Sequence, residues 1–297
     1  MALANLAPSS FSSPAADLQQ RLDTFNRTRL RPTFPGDDAG GILRDRDLEE
    51  REGQFVEKER RSVSFLAARA PADPDGFVGW FEALETTGPG QHDSLFDWLE
   101  THASLQEMTW FLSQEVAGEA GFEDLVALTQ VKMPTRAKLE LARNYWDEMG
   151  QGREGGMHGP MLSRLARELA IEPAPPGGVA FEALALGNLL VALAMNRRYA
   201  YHSIGALGVI ELTAPGRAAK VNAGLKRLGI GGEARRYFAL HATLDVKHSA
   251  AWNREVLRPL VASDTRLARP IAEGALMRLN AGARCFARYK RALGLDG

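Results

Sequence analysis

The run YFALHATLDVKHSAAW, Tyr237 to Trp252, decides how this chain is read. Within it His241, Asp245 and His248 stand at i, i+4 and i+7, positions that share one face of an α-helix. Imidazole and carboxylate are ordinary ligands for iron, zinc and manganese, and one helix can present three of them to a single point. Phe238, Leu240, Leu244, Val246 and Trp252 flank the triplet and predict a helix packed on much of its circumference. Buried ionisable residues are costly unless they are paired or bound to metal. For the triplet alone, a surface helix with incidental histidines is an equal reading. The helices upstream decide between the two.

A length of 297 residues allows one or two domains and a sizeable core. Apolar and charged fractions of 45% and 25% are those of an ordinary globular protein. The formal net charge of −1 argues against a general attraction to nucleic acid or to an anionic membrane. Cys285 is the single cysteine, so no intrachain disulfide and no thiolate metal cluster can form. The N-terminal run lacks a basic segment ahead of an apolar one, which predicts no secretory signal. Leu184 to Met195 is the longest apolar run and stops at Asn196-Arg197-Arg198, short of the ~18 residues a membrane span needs. A soluble cytoplasmic protein is the expectation.

Taken in order, residues 1 to about 16 are rich in Pro, Ser and Ala and are expected to be flexible. A short helix over Asp17 to Arg31, a loop over Pro32 to Gly41 and a solvated, Glu/Arg-dense helix over Arg44 to Ala68 follow. Gly76 to Leu84 is short and apolar. From His92 onward the spacing is helical throughout: Ser94 to His102, Leu105 to Thr129, Thr135 to Met149, Pro160 to Ala170, Phe181 to Thr213, Arg217 to Leu228, Glu233 to Leu260 and Thr265 to Leu293. Pro215 is read as the end of the long Phe181 helix. There is no strand period, heptad run or repeat. The fold class is all-α, a bundle of about six or seven long helices.

Several of these helices carry acids on apolar faces. Glu115 lies near the centre of the arc set by Phe111, Leu112 and Phe122, with Glu119 slightly off it. Glu148 follows Leu141, and Glu211 ends the apolar turn IGALGVIEL. At about 1.5 Å of rise per residue, antiparallel neighbours would bring Glu148 level with a point between Glu115 and Glu119. Phase favours Glu115. His158 is ten residues beyond Glu148, about 15 Å in an unbroken helix, but Gly150, Gly152, Gly155 and Gly156 lie between and could fold it back. Glu115, Glu148, Glu211 and Asp245 bring four negative charges and His158, His241 and His248 neutral imidazoles. Two divalent cations balance that set and leave open positions, the composition of a di-iron or di-manganese carboxylate centre.

Glu148 with His158, then Glu211, then His241-x-x-x-Asp245-x-x-His248 resembles the haem-oxygenase-like di-iron oxidases, the iron-containing redox enzymes. NYWDEMGQGREGGMH and YFALHATLDVKH carry the likeness, which covers about residues 100 to 262. The resemblance implies a haem-oxygenase-like seven-helix bundle over 100–297 and a partly flexible N-terminal extension over 1–99. It implies iron ligands Glu115 (or Glu119), Glu148, His158, Glu211, His241, Asp245 and His248, with two iron ions as cofactor, manganese as the alternative, and O2 as co-substrate. Relatives form a peroxo-di-iron(III) species and carry out amine N-oxygenation, oxidative decarboxylation or fragmentation, or desaturation. Expected partners are a small-molecule substrate, an external electron donor and a second copy in a homodimer.

Tyr145, Tyr199, His202 and Phe238 are candidate substrate-pocket residues, as are Leu189, Leu190, Leu193 and Trp252. Arg197 and Arg198 could hold a substrate carboxylate. The competing readings are a non-catalytic iron-binding or iron-sensing protein and, less favoured, a cofactor-free thiamin-hydrolase-like enzyme using Cys285. Gly205 and Gly208 each cost about 1 kcal/mol of helix propensity relative to Ala, which predicts mobility of Ser203 to Ala214 in the metal-free protein.

Overall fold

The computed structural model describes residues 13–34, 37, 45–172, 174 and 177–295; most of the Pro/Ser/Ala-rich N-terminal stretch and most of the Pro32–Gly41 loop lie outside them. The N-terminal part comprises α1 (Pro14–Leu30), α2 (Arg46–Ala67), α3 (Pro74–Thr87) and α4 (Ser94–Thr101). Next come α5 (Leu105–Gly118), α6 (Phe122–Thr129), α7 (Thr135–Glu148) and α8 (His158–Glu168). The chain continues through α9 (Phe181–Met195), α10 (Ala200–Arg227) and α11 (Arg236–Trp252), and closes with α12 (Arg258–Ser263) and α13 (Ala268–Leu293). Apart from one bridge pair, Met149 with Met157, there is no β-structure among the described residues. The class is all-α, as expected.

Helix starts follow local chemistry. Ser13, Asp45, Asp73 and Asp93 accept from backbone N–H groups of their first turns, and Ser104 with Glu107 forms a reciprocal capping box at the head of α5. Two of the boundaries that differ from the sequence reading bear on the site. The predicted Leu105–Thr129 helix is broken at Glu119-Ala120-Gly121, where Gly121 takes φ +76° and opens α6. The predicted Phe181–Thr213 helix breaks instead at Asn196–Tyr199, and Pro215 lies inside α10 rather than ending it. A mid-helix proline costs about 3 kcal/mol. Burial of Leu212, Thr213, Ala218, Val221 and Leu225 on either side outweighs that cost. The hydrogen bond that Pro215 cannot donate is the one to the Glu211 carbonyl.

α10 is the central element, packed against α3, α4, α9, α11 and α13. Its glycines serve close approach. A Cβ at Gly205 would collide with the Ile271 carbonyl of α13, one at Gly274 with the His202 carbonyl of α10, and one at Gly208 would lie 2.5 Å from the Trp252 indole nitrogen. The glycines that sequence alone reads as helix weakness are thus packing contacts in a continuous helix. α9 is buried around nearly its whole circumference. α1 lies on α9, where Asn26 donates to Asn188 (2.9 Å) and Asn188 donates to the Gln19 carbonyl (2.9 Å).

Two glycine substitutions should move stability in opposite directions. Gly274→Ala should lower it by about 1–3 kcal/mol through overpacking against α10. Gly216→Ala, at a helical site with nothing within 4 Å, should raise it by about 0.5–1 kcal/mol. Urea unfolding midpoints check both.

Candidate metal centre

α11 places His241, Asp245 and His248 on one buried face, as their spacing predicts. α10 supplies Glu211 and α7 supplies Glu148 from its last turn, both buried. His158 returns to Glu148 by the glycine route. After α7 the chain makes two 3-10 turns, Gly150–Gly152 and Glu154–Gly156, with Gly150 at φ +61°. The backbones of Gly150 and Gly156 meet so closely that a Cβ at either would crowd the other. That hairpin sets His158 Nδ1 3.0 Å from a Glu148 oxygen.

The resulting arrangement is a pair of triads that share Glu148. Ligand atoms of Glu148, His158 and His241 lie within 4.8 Å of one another, as do those of Glu148, Glu211 and His248. His248 Nδ1 is 3.4 Å from Glu211 and 3.7 Å from Glu148. Each histidine on α11 is held from behind by an acid. His241 Nδ1 faces Asp245 at 3.0 Å and His248 Nε2 faces Asp147 at 3.2 Å. Carboxylates in those positions fix ring orientation and turn the opposite nitrogens, His241 Nε2 and His248 Nδ1, into the cluster. Both are buried and have no hydrogen-bond partner. Asn144 donates to the far oxygen of Glu211 (2.5 Å), and the Tyr237 hydroxyl lies 3.2 Å from His158 Nε2.

Glu119 and Glu115 take different places. Glu119, in the break after α5, comes 3.7 Å from His158 Nε2. Glu115, favoured by helical phase, instead lies in the part of the site that holds Tyr289, Arg217 and Arg278. The phase argument assumed one continuous helix to Thr129; the kink at Gly121 re-aims Glu119 and removes the basis for that choice. Asp245 faces His241 and lies outside both triads, as Glu119 does. Tyr237, Asn144 and Asp147 border the cluster without having been singled out, although Asp147 and Asn144 stand on the α7 turn that carries Glu148. Glu123 has a buried, unpartnered oxygen near His158.

The charges are strongly coupled. Burial opposes charge on His158, yet Glu119 and Glu148 hold its pKa well above the imidazole value. Burial likewise opposes charge on His248, but Glu211 and Asp147 push it up to about 9. Burial lifts Glu211 to about 7 against the pull of His248. Cations entering such a set displace the protons these groups share. The donors fit metal: mixed imidazole and carboxylate suit first-row ions, and two buried imidazole nitrogens without hydrogen-bond partners stand among acids.

A cavity of about 190 Å3 opens beside the cluster. Glu119, Glu148, His158, Glu211, Tyr237, His241 and Asp245 line one side, and Phe96, Phe111, Leu190, Ile210, Phe238 and Phe286 line much of the rest. Phe238 and Leu190 are therefore at the pocket, as expected. Tyr145, Tyr199 and His202 are not. Tyr199 donates to Glu57 (2.7 Å), His202 lies 3.1 Å from Glu273, and Tyr145 packs against the main core with Leu189, Leu193 and Trp252. Arg197 donates to the carbonyls of Leu128, Thr129 and Val131, which closes the end of α6, and Arg198 points outward near Glu57.

Anaerobic Fe(II) titration separates the two glutamates. Glu119→Ala and His241→Ala should each reduce saturation below two irons per chain, whereas Glu115→Ala should retain two. Equal loss from the Glu115 and Glu119 variants would remove the distinction.

The comparisons with known proteins agree with this geometry. The family model described as iron-containing redox enzyme matches residues 109–283, more than half of the chain. A crystal structure of a CADD-like protein of unknown function from Nostoc punctiforme shares the fold, with a TM-score of 0.52 at 14% identity, over 84% of this chain and 98% of that one. No curated protein matches the sequence. Among the described residues, no helix is long and apolar enough to cross a membrane. With its all-helical, haem-oxygenase-like fold and two buried His/Glu triads, the chain belongs to the family of iron-containing redox enzymes.

Proposed function

We propose that this protein is an O2-dependent di-iron oxidase acting on a small organic substrate held in the cavity. The observation that carries this reading is the pair of triads sharing Glu148 at the wall of a largely apolar cavity. Glu119, Glu148, His158, Glu211, His241 and His248 would hold two irons, with Asp245 and Asp147 steadying the two α11 imidazoles. When bound, the irons supply the electrons and the binding positions through which O2 is activated.

The chain's own residues do the rest. Asp245 faces His241 Nδ1 and Asp147 faces His248 Nε2, which directs the opposite nitrogens toward the metal positions; His248, pushed up to about 9, would release its second proton as a cation enters. Tyr237 keeps its phenol proton, because burial and the surrounding carboxylates push its pKa well above the ordinary value. That hydroxyl stands at the cavity wall as a donor toward bound substrate or oxygen. The aromatic lining excludes water and confines reactive oxygen to the substrate. Amine N-oxygenation, oxidative decarboxylation or fragmentation, and desaturation all suit such a site.

An iron-storing or iron-sensing role would use the same ligands but needs no organic-sized cavity at their side. A thiol-nucleophile reading fails on Cys285, which is buried; burial and the nearby Glu115 push its pKa up to about 12, so it keeps its proton.

Rapid mixing of the Fe(II)-loaded protein with O2 tests the proposal. A transient visible absorption should appear, should be absent in His241→Ala, and should decay faster with a turned-over substrate. Iron oxidised and retained without a transient, and without O2 uptake coupled to turnover, would favour storage or sensing.

A further inference from the structure

Away from the ligands, the cavity wall carries two arginines that the centre does not use. Arg217 lies on α10, six residues beyond Glu211 and therefore about 9 Å further along the helix axis. Arg278 projects from α13. Both line the cavity, are half-buried, and form no ion pair among the described residues. Arg217 donates to Thr213 Oγ1 (2.9 Å) and lies over the rings of Phe96 and Phe286, 5.8 and 5.5 Å from their centroids. Cation–π contact of this kind positions a guanidinium but does not neutralise it. Arg278 has a buried Nε–H with no partner. Its guanidinium crosses Gly282, one turn along its own helix, where a Cβ would come 2.6 Å from Nη1. The glycine leaves room for this side chain.

Of the acids that line the same cavity, Glu119, Glu148, Glu211 and Asp245 stand with the imidazoles of the cluster, and Glu115 makes no ion pair with either arginine. Each guanidinium is left without a paired carboxylate among the described residues. Burying such a charge unpaired is costly and adds nothing to folding. Guanidinium groups match carboxylates with forked, charge-assisted hydrogen bonds. The cavity is little larger than the ~150 Å3 known to admit benzene, so the ligand is small. A small cavity with one guanidinium pair matches a single carboxylate head.

We propose that Arg217 and Arg278 form a carboxylate-binding subsite, so that the substrate is a small monocarboxylic acid with an apolar body. Its acid group is anchored on the two guanidiniums, its body lies along the aromatic wall, and its reacting atom points toward His241 and Glu211. This assignment rests on the oxidase reading for the word substrate, but the subsite itself needs no metal to be tested.

The test is calorimetric binding to the metal-free full chain, using hexanoate, hexanol and hexylamine as probes of equal body and different head. Hexanoate should bind at least about tenfold more tightly than hexanol, and hexylamine more weakly still. Arg217→Met and Arg278→Met should each weaken hexanoate at least about tenfold and leave hexanol unchanged, while Arg278→Lys should restore part of the preference. Both Met variants should melt at or above wild type, because an unpaired buried charge has been removed; a structural arginine would lose stability instead. Equal binding of the three heads, no hexanoate binding at millimolar concentration, Met variants that bind hexanoate normally, or Met variants that melt well below wild type would each overturn the subsite. Iron stoichiometry of wild type, measured separately, reports on the oxidase reading: two irons with no carboxylate preference removes the subsite alone, and a carboxylate preference without iron binding removes the oxidase alone.

Discussion

Four acids gathered in an apolar interior set the terms for the rest of this molecule. Glu119, Glu148, Glu211 and Asp245 come from four separate elements and stand among three imidazoles. Carboxylates so close cannot all be charged without cations or protons between them. Glu148 is the pivot, since it belongs to both triads and the neighbouring Asp147 steadies His248 from the other side. Removing any one acid changes the protonation of its neighbours as well as a ligand count, and for that reason the cluster is a single electrostatic unit.

The fold serves this unit in two ways. Helices α7, α10 and α11 deliver Glu148, Glu211, His241 and His248 from rigid, well-packed positions, with α10 held against α13 by glycine contacts that admit no larger residue. Breaks deliver the others: the glycine hairpin brings back His158, and the kink at Gly121 turns Glu119 inward. Pro215 leaves the Glu211 carbonyl without its helical donor, so even the candidate ligand on α10 stands next to a local weakness. Side chains carried by such irregular backbone adjust at lower cost than those in mid-helix.

On the proposed reading, the cavity beside the cluster would join metal chemistry to substrate recognition. Its aromatic wall would shield the reaction from water, and its two unpaired arginines would select an anionic head. Arg217 would link the two functions along one helix, since α10 carries both it and Glu211.

The sequence by itself determined the all-α class, the shared face of His241, Asp245 and His248, the interior positions of Glu148 and Glu211, and the return of His158 through four glycines. Each follows from a local rule, either helical periodicity or glycine's access to positive φ. Tertiary structure decided the rest. Whether Glu115 or Glu119 faces the histidines depends on a kink whose direction no single-helix phase can supply. The glycines of α10 read as weakness until α13 and Trp252 are seen to occupy the space a side chain would need. Arg197 and Arg198 looked free in the sequence, yet Arg197 closes a helix end and Arg198 points outward, while Arg217 and Arg278, distant in sequence, meet at one cavity. Side-chain partners across helices are set by three-dimensional packing, and periodicity within one helix does not encode them.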